Sequence, residues 1–235
     1  MADTKISALT AASSALGTQE IPVNEGGTPK KLTVAQIQTL FGGVSPDTRP
    51  SSPSAYDNEF DTLSGWTTLG TLDTANVTDF PSHVHIGRTA GEWRLDGTYK
   101  AAPTMPYTVT AKLSDTTVGA DYQSAGIFVG EASPGKLLTW GQYWESGRGL
   151  SRQIWTDPTT RLDNAAFAAG WPPLYLRMIV TSSTDVVCQY SYTGFLWTEG
   201  AATIDPEMTL ASVGFVVSDY YGAKVEAAFD WIRFV

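Results

Sequence analysis

From Asp57 to the end, apolar and polar positions come in short runs rather than long stripes. Runs rich in β-branched and aromatic residues are separated by Gly, Pro, Asp and Ser. Successive side chains of a strand point to opposite faces, so runs of this kind at this spacing read as the strands of a sandwich. The predicted strands are His83–Gly87, Thr108–Leu113, Ala125–Gly130, Leu137–Trp144, Arg152–Trp155, Leu174–Thr181, Val186–Tyr192, Ser212–Val217 and Phe229–Val235. Asn164–Ala169 is rich in alanine and reads as a short helix or a loop. No repeat of the length used by solenoids or propellers is present.

The first forty-odd residues follow a different pattern. Glu20 to Val23 reads as extended, Asn24-Glu25-Gly26-Gly27 as a turn, and Lys30 to Leu32 as a return strand. Thr33 then sits as a helix cap with Gln36 in the capping-box position. Val34, Ile37, Leu40 and Phe41 make one apolar stripe, and Gly42-Gly43 ends the helix. A hairpin and two helical turns bury too little apolar surface to offset their ordering entropy. Residues 1–45 are therefore expected to dock on a partner through Ile6, Leu9, Ile21, Val23, Leu32, Val34, Ile37, Leu40 and Phe41. Residues 46–56, with Pro46, Pro50 and Pro53, read as a semi-rigid linker, and 57–235 as the body.

Charge sharpens this division. The 235-residue chain carries a net −9, with 42% hydrophobic and only 17% charged residues. The head is neutral, whereas residues 46–235 hold 12 basic against 21 acidic residues. An acidic body argues against nucleic acid as a partner, because phosphate binding needs basic patches. The single cysteine, Cys188, cannot form an internal disulfide and reads as a small apolar strand residue. No apolar run approaches the roughly 18 residues that span a membrane, and the N-terminus lacks a signal-peptide core, so membrane insertion is not expected.

Candidate chemistry is sparse. His83 and His85 would share a strand face, with Asp79 as the nearest third ligand, but with no Cys or carboxylate in tight register they read as two ordinary strand residues, and no metal or cofactor is expected. Glycan hydrolysis needs two carboxylates facing across a groove, and no run of carboxylates alternates along one strand. Glu145 stands alone, and Asp157 precedes Pro158 in a turn. The chain is accordingly expected to bind rather than to catalyse. The strongest lead is aromatic: Trp140, Gln142 and Trp144 share one face of a strand, and the next strand adds Arg152 or Trp155 according to register. Such a face suits a sugar, with rings stacking on C–H groups and amide or guanidinium groups bonding hydroxyls. Equally, these tryptophans could fill the core or a subunit interface. Trp66, Trp93, Trp171, Trp197 and Trp231 read as core or rim packing.

Two resemblances add expectations. Lys5-Ile-Ser-Ala-Leu-Thr10, Ile21-Pro-Val23 with Gly26-Gly27, and Lys30-Lys-Leu-Thr-Val-Ala-Gln-Ile37 resemble the N-terminal module of tailed-bacteriophage fibre proteins. This implies attachment to other virion proteins of a head or tail, a place on the virion surface after synthesis in the host cytoplasm, and a homotrimer. No coiled-coil heptads accompany that last implication. Leu174-Tyr-Leu-Arg-Met-Ile179, Cys188 to Trp197, Val213-Gly-Phe215 and Phe229-Asp-Trp-Ile-Arg-Phe-Val235 resemble concanavalin-like, laminin-G-like domains. This second resemblance implies a mainly β fold, an antiparallel jelly-roll sandwich with its ends close together and a surface glycan as ligand. Thr193-Gly194 replaces the Asp-Gly of that pattern, so a role tied to the aspartate is lost while a hairpin turn is still expected.

Overall fold

The structure, a computed structural model, describes residues 20–25, 28–33 and 46–235, apart from 90, 133, 134, 146, 169–173, 205–207 and 221. The chain divides into two units, Met1–Thr48 and Arg49–Val235, with the boundary inside the Pro/Ser-rich stretch. In the first unit β1 (Glu20–Glu25) and β2 (Thr28–Thr33) pair antiparallel, with Ile21 opposite Leu32 and Val23 opposite Lys30. The helix expected beyond Thr33, and the docking residues Ile6, Leu9, Val34, Ile37, Leu40 and Phe41, lie outside the described residues.

The second unit is a sandwich of two antiparallel seven-stranded sheets. In chain order its strands are β3 (Thr67–Leu69), β4 (Thr74–Asn76), β5 (Val84–Arg88), β6 (Leu95–Ala101), β7 (Tyr107–Thr116), β8 (Ser124–Gly130) and β9 (Leu137–Trp144). They continue as β10 (Arg148–Asp157), β11 (Thr160–Ala168), β12 (Tyr175–Ser182), β13 (Asp185–Ser191), β14 (Thr198–Ile204), β15 (Ser212–Ser218) and β16 (Val225–Phe234). One sheet runs β11-β10-β9-β8-β15-β6-β3 and the other β14-β13-β12-β7-β16-β5-β4. Among the described residues there is no helix. The β-sandwich expected from the pattern, with the antiparallel pairing that the second resemblance implies, is thus what forms.

Alternation sets which residues face inward. Ile127 and Val129 of β8, and Val213, Phe215 and Val217 of β15, meet Val109, Ala111 and Leu113 of β7 and Leu176, Met178 and Val180 of β12 in one buried cluster. Phe215 lies near its middle, with ring centroids of Phe229, Phe60 and Trp66 at 4.2, 5.4 and 5.5 Å. Each such side chain contributes about 1.5–3 kcal/mol on burial, which is what offsets the entropy of ordering so many strands.

The body's start and end are pinned together. Asn58 and Ile232 exchange backbone hydrogen bonds of 2.9 and 3.0 Å, and the Phe234 amide donates to Asp57 Oδ1 at 2.8 Å. Arg233 adds a bidentate pair to Glu59 at 3.1 and 3.2 Å. Thr193-Gly194 does turn a hairpin: Gly194 has φ +77°, a left-handed value natural to glycine, and Ser191 Oγ accepts its amide at 2.8 Å.

One element differs from expectation. Residues 164–168, read as a helix or loop, belong to β11, paired with β10 from Gly149–Ala168 to Asp157–Thr160. Alanine favours helix only weakly, and a ladder to a long neighbouring strand overrides that preference.

Candidate functional site

The tryptophan patch predicted from sequence does not form an open face. Register places Arg152 opposite Trp140 and Leu150 opposite Gln142, so Trp140, Gln142, Trp144 and Arg152 share the inner side of the sheet. Trp140 is 0% exposed, and its Nε1 donates to the Gln189 carbonyl of the facing sheet at 2.8 Å. Gln142 is buried, and Trp144 packs against the core. Arg152 pairs with Asp163 at 2.5 Å. Trp155 is opposite Leu137, on the other face, and is also 0% exposed. As a sugar-stacking surface the five residues are corrected: the shared face the sequence revealed is the core face, and Trp155 is divided from the rest by register.

The outer face of this sheet has its own second apolar cluster. Leu69, Leu95, Phe128, Leu137, Trp155 and Val216 are buried together there, with Trp93 and Tyr99 against them. They are covered by the β10–β11 hairpin. The carbonyl of Pro158, at its tip, accepts the amide of Leu95 on β6 at 2.7 Å, four strands away in sheet order. Trp155 Nε1 donates to Gln153 Oε1, and Gln153 Nε2 to Ser151 Oγ, both at 3.1 Å. Beneath the hairpin the strands come unusually close. A Cβ on Gly126 would fall 2.3 Å from the Trp140 carbonyl oxygen, and one on Gly141 2.2 Å from that of Ala125, so only glycine fits either place.

At the end of this covered face, three loops bring aromatic rings together. Trp93 comes from the β5–β6 loop, Tyr122 from the β7–β8 loop and Tyr220 from the β15–β16 loop. Ring centroids are 5.0 Å apart for Trp93–Tyr220, 5.5 Å for Trp93–Tyr122 and 6.0 Å for Tyr122–Tyr220. Tyr220 is 43% exposed, and Tyr122 holds a left-handed φ of +65°, uncommon for a tyrosine. The Arg161 guanidinium, from β11, lies 4.0 Å from the Trp93 ring centroid. Arg161 also hydrogen-bonds Tyr143, whose hydroxyl donates to Glu145 Oε2 at 3.1 Å. Burial, only partly opposed by Arg161, pushes the Tyr143 phenol above its usual pKa, so the phenol keeps its proton.

Buried polar groups fix these loops. Arg88 and Asp96 are each fully buried and pair at 2.5 Å; Arg94, beside Trp93, adds contacts to Asp96 at 3.1 Å. The Asp96 bond raises the Arg94 pKa, while burial lowers that of Arg88 against the pull of Asp96. Gln123, next to Tyr122, accepts the Gly119 and Ala120 amides and donates to the Ala223 carbonyl. Asp219, next to Tyr220, accepts the Gly222 amide at 2.6 Å. The rings are therefore presented on braced loops, the arrangement a preorganised binding surface needs.

The other candidates have ordinary settings. His85 lies between Asp79 (3.1 Å) and Glu226 (3.4 Å), while His83 contacts the Pro81 carbonyl and Ser114. Among the described residues no cluster of three or more His, Cys, Asp or Glu is placed to hold a metal ion. Cys188 is buried, and burial pushes its thiol pKa up, which makes it unreactive. Asp157 accepts the amide and hydroxyl of Thr159 in the expected turn.

Sequence reasoning read Trp93 only as packing and passed over Tyr122 and Tyr220. They lie in three loops far apart in the chain, and nothing periodic links them.

Comparison with protein families and with curated proteins gives no match. Comparison with solved structures does. A xylan β-1,4-xylosidase from Bacillus halodurans superposes with a TM-score of 0.63 at 16% identity, over 80% of this chain and 40% of the enzyme's. A GH43 protein of a Bacteroides ovatus xyloglucan locus gives 0.62 at 15%, over 91% and 46%. A Saccharomyces cerevisiae protein of unknown function gives 0.57 at 17%, over 74% and 97%. At these identities the likeness is one of fold, and this chain spans less than half of either bacterial protein. The expectation that the chain is not an enzyme is corrected by these neighbours, because its sandwich is one that glycoside hydrolases carry.

Proposed function

We propose that this chain is a virion surface protein of a tailed phage, held to head or tail proteins by residues 1–45, with the sandwich contacting surface glycans through Trp93, Tyr122, Tyr220 and Arg161. One observation carries the glycan part: three aromatic rings from separate loops converge, one of them well exposed, on loops braced by buried charges. Position supports it. β16 begins at Val225 beside the Tyr220 loop and ends at Phe234 beside the pinned entry at Asp57. Its ten residues put roughly 30 Å between the rings and the point where the chain enters the body. The virion part rests on the resemblance of the head, and the proposed homotrimer on the same ground.

The test is to incubate the purified full chain with cell-surface and plant polysaccharides, measuring both retention and release of reducing ends. Retention that is lost in Tyr220→Ala supports the glycan reading, and no retention of any polymer removes it. Release of reducing ends would favour a second reading, polysaccharide cleavage, which the xylosidase-like fold of the neighbours motivates. Imaging purified phage particles tests the attachment. Density for the sandwich beside a capsid or tail protein supports it, and its absence from particles refutes it.

A further inference from the structure

We infer that a hollow on the outer face of the second sheet takes the ammonium end of a lysine side chain presented by a partner protein. The hollow shares no residue with the ring cluster, and the inference does not depend on the glycan reading. Strand pairing builds it. Ala227 and Ile86 face the core, so their neighbours Ala228 and His85 face outward, with Asp115 of β7 on the other side of Ala228. Ala228 makes a floor with no long side chain to fill the space above it. Phe80, from the β4–β5 loop, meets the His85 ring edge to face, with centroids 4.9 Å apart. Glu226 is opposite Gly87, where a Cβ would fall 2.9 Å from the Glu226 Cγ. The resulting cavity of about 40 Å³ opens to solvent between Phe80, His85, Asp115 and Glu226, and its accessible lining is mostly apolar.

Size and charge select the ligand. One water needs roughly 10–15 Å³ of such space, so the cavity admits about three groups of that size. That is the end of an alkyl ammonium, not a whole sugar ring, and a planar guanidinium is bulkier than the compact ammonium. The apolar floor suits the methylenes, and Phe80, 40% exposed, offers its ring to the cation. Three carboxylates stand here, Asp79, Asp115 and Glu226, against Lys224 and His85. His85 Nδ1 faces Asp79 and its Nε2 faces Glu226 Oε1, which also takes Lys224 at 2.6 Å. Asp115 is exposed; among the described residues its carboxylate accepts the Thr116 amide at 2.8 Å and meets no cation. It is the place left for an outside one. The wall is held in advance. Asn76 bonds the Thr78 and Asp79 amides and the Asp79 carboxylate, and the Phe80 carbonyl accepts the His83 amide at 3.0 Å. The loop that carries the ring therefore pays little ordering cost on binding.

The experiment follows backbone amide shifts of the full chain by NMR as Nα-acetyl-lysine methylamide is added. Its Nζ-acetylated form, the norleucine analogue and glucosamine are the comparison probes. The lysine probe should shift the Phe80, Thr116, Thr117 and Glu226 amides and saturate in the millimolar range. The two uncharged analogues should bind about tenfold more weakly. Asp115→Asn should weaken binding of the lysine probe about three- to fivefold and Phe80→Ala about two- to fivefold, with melting curves showing that both variants fold. Tyr220→Ala, in the ring cluster, should leave it unchanged. Equal binding of charged and uncharged probes overturns the inference, as does tighter binding of glucosamine than of the lysine probe. So does the absence of any shift at these amides at tens of millimolar.

Discussion

Arg161, Arg177 and Arg233 each stack on a tryptophan of this sandwich, and the first and last of them differ in whether a carboxylate meets the charge. Arg233 lies 4.1 Å from the Trp231 ring centroid and makes two hydrogen bonds to Glu59, so its charge is met within the fold. Arg161 lies 4.0 Å from the Trp93 centroid and keeps a buried donor unmet. Stacking is the same; the carboxylate is the difference. The Arg233 stack closes the seam between the body's first and last residues, a structural task. The Arg161 stack sits in an aromatic cluster with an exposed ring and closes no such seam.

Removing the frame beneath Trp93 should break the comparison most severely. Asp96→Ala leaves the buried Arg88 without its carboxylate, and unfolding by denaturant should show a loss of about 3–5 kcal/mol. Arg233→Met should cost less, about 1–3 kcal/mol by the same measurement, because it leaves Glu59 partly solvated. Arg161→Met should cost least of the three, about 1 kcal/mol or less, since it loses the stack on Trp93 but no intramolecular ion pair. Equal losses in the two arginine variants would show that the distinction is false. Smallest of all is an acid effect on the hairpin that carries Arg161. Hydrogen bonds from Thr159 lower the Asp157 pKa below its usual 3.8. The stability this contributes is present above 3.8 and lost as pH falls through the lowered value. Tryptophan fluorescence between neutral and strongly acid pH should show a shallower acid change in Asp157→Asn.

Strands with regular alternation were legible from sequence, including β8, β9 and β15, whose inner residues form the core. The shared face of Trp140, Gln142 and Trp144 was legible as well, but alternation alone does not say which face meets the other sheet. β3, β4 and β6 escaped because they are short or interrupted by polar residues, and β11 because its alanines suit several conformations. The ring cluster was illegible for a deeper reason. Trp93, Tyr122 and Tyr220 meet only after β5, β7 and β15 are stacked in their sheets, an outcome of long-range pairing rather than of any local pattern.

The pin between Asn58 and Ile232 gives the body a mechanical axis. A load applied between a ligand at the rings and the chain entering at Asp57 would run lengthwise along β16 and β7, neighbours paired over most of their lengths in the middle of their sheet. Force in that direction shears many ladder hydrogen bonds at once instead of peeling them singly. The body should therefore resist tension applied between its chain entry and the ring cluster, and yield far more readily when pulled across its strands than along them.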